Sequence, residues 1–162
     1  MDDERLVYEY ADTNNINELK KVLQKVGSNH YMYRDVNGWT ALHWAAINNN
    51  IECLELLLKS NVDKNSIDSN GKTAIHHAVE RCNIDILRKL LEFKDINVDI
   101  LDENGMTPLH IAAELNNELS LMTLLEFGAD PELKNKEGLS PLHITAISVS
   151  YTHLTLPTIY SV

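Results

Sequence analysis

The chain has 162 residues, 44% of them apolar, and its 14 Lys and Arg stand against 24 Asp and Glu, a formal net charge of −10. That length suits one domain, and so acidic a surface repels nucleic acid and anionic lipid while favouring encounter with basic proteins. Cys53 and Cys82 are too few for a disulfide framework, the acidic start lacks a secretion signal's apolar core, and no apolar run approaches the roughly 20 residues of a membrane span.

These features predict an intracellular monomer, cytoplasmic or nuclear, with no membrane contact. None of the charge falls in Val149–Val162, so the acidity belongs to the chain before it.

From Leu6 to Leu23 the text resembles a worn copy of a unit that is clearer downstream. Setting Asn15-Ile16-Asn17 on Asn50-Ile51-Glu52 places Leu19, Val22 and Leu23 on Leu54, Leu57 and Leu58. Val7 and Tyr8 take the places where later units have Leu-His. An end unit has one neighbour and needs a polar outer face, so residues 4–37 are predicted to be an N-terminal cap. Gly27–Asn37 carries about two extra residues, which predicts a longer first loop.

The first full unit spans 38–70. Thr40 is a good N-cap, and His43, three residues on, can reach back to it as in a capping box. Leu42, Ala45 and Ala46 predict a short inner helix, which Asn48-Asn49-Asn50 breaks through a left-handed turn. Ile51, Leu54, Leu57 and Leu58 are spaced as one buried stripe on a second, outer helix. Turn formers around Asp63 and Asp68–Gly71 then predict a hairpin-like loop.

The unit over 71–104 repeats the cap as Thr73 and His76 and the stripe as Ile84, Leu87, Leu90 and Leu91. Cys82 stands where the interhelical turn prefers Asn or Gly, which predicts strain or a shifted turn. In the unit over 105–137, Thr107 and His110 repeat the cap and Pro108 takes the first helical position, where its missing N–H costs nothing. Glu118 replaces the expected Ile, which predicts a rotated or later-starting outer helix. A half unit over 138–147 has Ser140 and His143 as its cap. Residues 148–162 are expected to be a non-repeat tail, disordered or a sequence artefact, with the natural chain continuing in further repeats or another domain.

The cores Gly38-Trp39-Thr40-Ala41-Leu42-His43, Gly71-Lys72-Thr73-Ala74-Ile75-His76, Gly105-Met106-Thr107-Pro108-Leu109-His110 and Gly138-Leu139-Ser140-Pro141-Leu142-His143 begin 33, 34 and 33 residues apart. Over residues 4–147 this resembles the ankyrin-repeat family. The resemblance implies an all-α solenoid of stacked antiparallel helix pairs with hairpin-like loops. It also implies a protein–protein interaction scaffold without catalysis.

Carried onto this chain, the family's concave contact surface maps to the loop tips Asn37, Trp39, Lys72, Met106 and Leu139. It also takes in the inner-helix positions Ile47, Asn48, Glu80, Arg81, Glu114 and Leu115. Trp39, Ile47, Met106 and Leu115 are large apolar residues that the fold is not expected to need, and so candidate contacts. The partner is expected to be a protein, and the acidic surface favours a basic one. The alternative is that the array is the regulatory or substrate-recruiting segment of a larger enzyme.

Catalytic and metal readings fare worse. There is no HExxH, no Gly-rich phosphate loop and no Gly-x-Ser-x-Gly elbow. The core histidines are one stacking unit apart, about 10 Å, too far to share an ion held near 2 Å. No catalytic residue, metal or cofactor is therefore expected.

Overall fold

A computed structural model describes residues 2–25 and 33–154, with side chains over 5–25 and 33–148. The helices are α1 (Asp2–Asp12), α2 (Ile16–Lys25), α3 (Ala41–Ile47), α4 (Ile51–Lys59), α5 (Ala74–Glu80), α6 (Ile84–Leu91), α7 (Pro108–Glu114), α8 (Glu118–Glu126) and α9 (Pro141–Leu154). No strand occurs among the described residues. The odd-numbered helices pack on one another in chain order as an inner layer, and α2, α4, α6 and α8 form an outer layer. This is the all-α solenoid that the repeats predict.

Short helices cannot bury an apolar face alone, and stacking supplies what each one lacks. Leu19, Leu54, Leu57, Leu87, Leu90 and Leu124 are fully buried in one continuous core that starts at Val7 and Ala11 of the worn first unit. Alanines line the inner seam: Ala45, Ala46, Ala78, Ala112 and Ala113 are wholly covered, which lets neighbouring backbones approach closely.

The loops are built as hairpins on one pattern. Asp35 Oδ1 accepts the N–H groups of Asn37 and Trp39, and Asp68 Oδ1 those of Asn70 and Lys72. Asp102 and Asn135 repeat this towards Asn104 and Met106 and towards Glu137 and Leu139. Successive tips are then tied edge to edge: Ser69 N–H donates to Asn37 C=O, Glu103 to Asn70, and Lys136 to Asn104, at 3.0, 2.9 and 3.1 Å.

Three expectations need correction or limits. The helix α8 does not start late. It begins at Glu118 in the same place as α4 and α6, because Asn117 caps it by accepting Ser120 N–H at 3.1 Å and Ser120, Thr123 and Leu124 fill the buried seam. Glu118 then sits in the first turn, where an acid complements the helix dipole.

The last inner helix does not stop near Ile147 but runs to Leu154. Asn49, Cys82 and Asn116 turn the chain after the earlier inner helices, and Val149 holds the matching place in sequence. A β-branched residue resists the left-handed turn, so nothing there ends the helix. Residues 155–162 of the expected tail, and the part of the longer first loop over 26–32, lie outside the described residues.

Candidate binding surface

The repeated Thr-x-x-His pairs do two jobs at once. Thr40, Thr73 and Thr107 N-cap α3, α5 and α7 in a capping box with His43, His76 and His110. Each imidazole Nδ1 accepts the backbone N–H of its own Thr, at 3.1, 3.0 and 3.1 Å. The ring proton therefore sits on Nε2, which donates to a carbonyl of the next hairpin: Lys72 at 3.0 Å, Met106 at 3.2 Å and Leu139 at 3.0 Å. The histidines are ties between units. Burial holds His43 and His76 down at about 4 and pushes His110 down as well. His143 keeps the first contact, with Ser140, and is itself exposed.

A second network was not legible from spacing. Asp68, buried, takes Trp39 Nε1–H at 3.0 Å and His77 Nε2–H at 2.8 Å on its second carboxylate oxygen. Nδ1 of His77 faces Glu80 Oε2 at 3.4 Å, and Lys72 Nζ bonds the other Glu80 oxygen. The bond from His77, then that from Lys72, holds the Glu80 carboxyl down at about 2 against its burial. Burial pushes Asp68 up, but the N–H groups of Lys72 and Asn70, with His77 and Trp39, bring it below the usual range. The available signals were a second histidine beside His76 and an acid opening the turn.

This network corrects the reading of Trp39 as a free contact. Its indole is half-buried, hydrogen-bonded to Asp68 and edge-on to Trp44 and His77 at 5.0 and 5.5 Å. Trp44 in turn lies 6.5 Å from Tyr8, packed between α1 and α3. Ile47 and Met106 are also half-buried, and Met106 packs against the core while its sulfur accepts Asn135 Nδ2–H at 3.3 Å. The fold does use Trp39 and Met106, because each reaches the neighbouring unit. Of the four, Leu115 alone is exposed, at 47%.

The other expected contacts divide in the same way. Lys72 and Glu80 pair with each other, and Asn48 Nδ2–H donates to Asp12 Oδ1 at 2.6 Å. Asn37 and Arg81 are exposed, although Asn37 lends its carbonyl to the next tip. Met106, Glu114 and Leu139 are brought together. They line one groove of about 530 Å³ between the third and fourth tips, with Ile144 and Ile147 of α9 completing its apolar wall.

Among the described residues no three His, Cys, Asp or Glu side chains are grouped to hold a metal ion. Cys53 is buried and Cys82 exposed. Among the described residues no helix is long and apolar enough to cross a membrane.

The pattern for ankyrin repeats in three copies matches residues 7–102, and that for ankyrin repeats in many copies matches residues 90–144. The chain belongs to the ankyrin-repeat family. A search of curated proteins finds no match. Ankyrin repeats generally serve as protein–protein interaction modules and are typically non-catalytic, and only such repeats are found in this chain.

Proposed function

We propose that this ankyrin array is a non-enzymatic scaffold that engages a protein partner on its concave side, the side formed by hairpin tips and inner helices. The observation that carries the reading is the groove between the third and fourth tips. There Met106, Leu139, Ile144 and Ile147 present apolar surface under a rim of Asn104, Glu114 and Glu137. Apolar ground inside a polar rim is the anatomy of an interaction surface. Elsewhere on the same side, Trp39, Lys72, Glu80 and Asn48 already have partners within the chain.

Site-directed crosslinking tests it. A photoreactive amino acid replacing Leu115, at the end of α7, should form adducts with a protein partner in extracts of the source cells. The same group replacing Met122, exposed on outer helix α8, should not. Equal adducts from both positions would remove the concave assignment, and none from either would remove the scaffold reading.

A further inference from the structure

Two units of the array place a glutamate at the same point, the last residue of the inner helix: Glu80 in α5 and Glu114 in α7. In the second unit that carboxylate is completed from within, by Lys72 on one oxygen and His77 on the other. In the third unit Met106 stands where Lys72 was and Ile111 where His77 was. Glu114 is left exposed, with no hydrogen bond or ion pair to another described residue, on the wall of the apolar groove. The array thus shows, one unit away, what a carboxylate at this point takes: a cation brought in over the tip.

Resting on the scaffold reading, we infer that the groove takes an extended protein segment carrying a lysine or arginine flanked by aliphatic residues. The cation meets Glu114, its methylene stem lies along Met106 and Ile147, and a neighbouring aliphatic side chain sits against Leu139 and Ile144. Glu137 adds a second acid to the rim. Lys136, on the tip side, disfavours a further basic residue there and so orients the segment with its cation towards α7. The formal charge of −10 draws such a segment in, and occupancy should weaken as salt rises.

Selection of random peptides displayed on phage against the whole chain, followed by fluorescence anisotropy of the enriched peptides, tests this. Enriched peptides should pair Lys or Arg with aliphatic neighbours. Glu114→Gln should weaken them about tenfold, acetylation of the peptide lysine should do the same, and the two changes together should add little more. Glu52→Gln, on the exposed face of outer helix α4, should leave binding unchanged. Glu114 is exposed, so the variant should melt as the parent does.

Enriched peptides without a basic residue, or indifferent to Glu114→Gln, would overturn the inference. If they still shift NMR signals of the concave side, the scaffold reading stands. Peptides that shift only the outer helices would overturn both. Self-association of the chain that Glu114→Gln abolishes would mean that a second copy, not a partner segment, fills the groove, and would also overturn the inference.

Discussion

Asn14, Asn49 and Asn116 hold φ of 54°, 59° and 51° at the turn between the two helices of a unit, and Cys82 holds 54° at the same place. Asparagine visits the left-handed region cheaply because its short amide bonds locally, whereas cysteine pays the Cβ–carbonyl clash in full. Cys82 is exposed, so its thiol contributes little packing in return. Cys82→Asn should stabilise the chain by about 1 kcal/mol, read as a raised urea midpoint at constant slope. An unchanged or lowered midpoint would mean that the thiol supports the turn in some other way.

Protonation acts at the same scale. An unfolded imidazole takes up its proton near pH 6.5, while His43 and His76 in the folded chain stay neutral down to about 4. A proton on Nδ1 would face the Thr N–H that now donates to it. Between those two values the unfolded chain binds more protons, so their contribution is full above pH 6.5 and drains away as the pH falls towards 4. The loss should reach on the order of 3 kcal/mol for each ring. Glu80 and Asp68, also depressed, add losses of the same sign below the ordinary carboxylate range. Urea midpoints should therefore fall steadily from pH 7 to 4.5, and His76→Gln should flatten the slope by about one proton. A flat profile in the parent would contradict the assigned tautomer.

At the scale of elements, what could be read ahead of the structure was what repeats locally. Thr–His boxes span three positions and the Leu stripe spans seven, so spacing alone located α3 to α7. The bond of Trp39 to Asp68 spans 29 positions, and that of His77 to Asp68 spans nine. The first depends on two units already being stacked and the second on a hairpin folding onto the helix after it, so no periodicity announces them. Glu118 misled for a related reason: the residue looked wrong for a helix start, while Asn117 before it and the seam behind it decided the start.

The hairpin tips show the same dependence on a neighbour. Gly105 has φ +73°, and a Cβ there would lie 2.9 Å from the backbone nitrogen of Lys136 in the next tip. Gly138 has φ +79°, yet a Cβ there would meet nothing within 4 Å. Both alanine variants carry the cost of a left-handed residue, about 1–2 kcal/mol. Gly105→Ala should lose clearly more, because it also pushes apart the tips joined by the Lys136–Asn104 bond. Equal losses in thermal melts would show that the tips can separate without cost.

Across the whole molecule, stability is a sum over units and the faces between them. One position tracks this through the array: Leu42, Ile75 and Leu109 are 3%, 2% and 1% exposed, and Leu142, their counterpart in the last unit described, is 71% exposed. His143 and Leu125 are likewise open where His110 and Leu91 are closed. The same side chain in the same sequence context is therefore core or surface according to whether another unit lies upon it. Leu109→Ala deletes atoms from a filled interface and should cost roughly 2–5 kcal/mol in urea unfolding. Leu142→Ala deletes atoms already in water and should change stability by under about 0.5 kcal/mol. A comparable cost at both positions would mean that Leu142 is covered in solution, and that the stack seen here has a further layer on it.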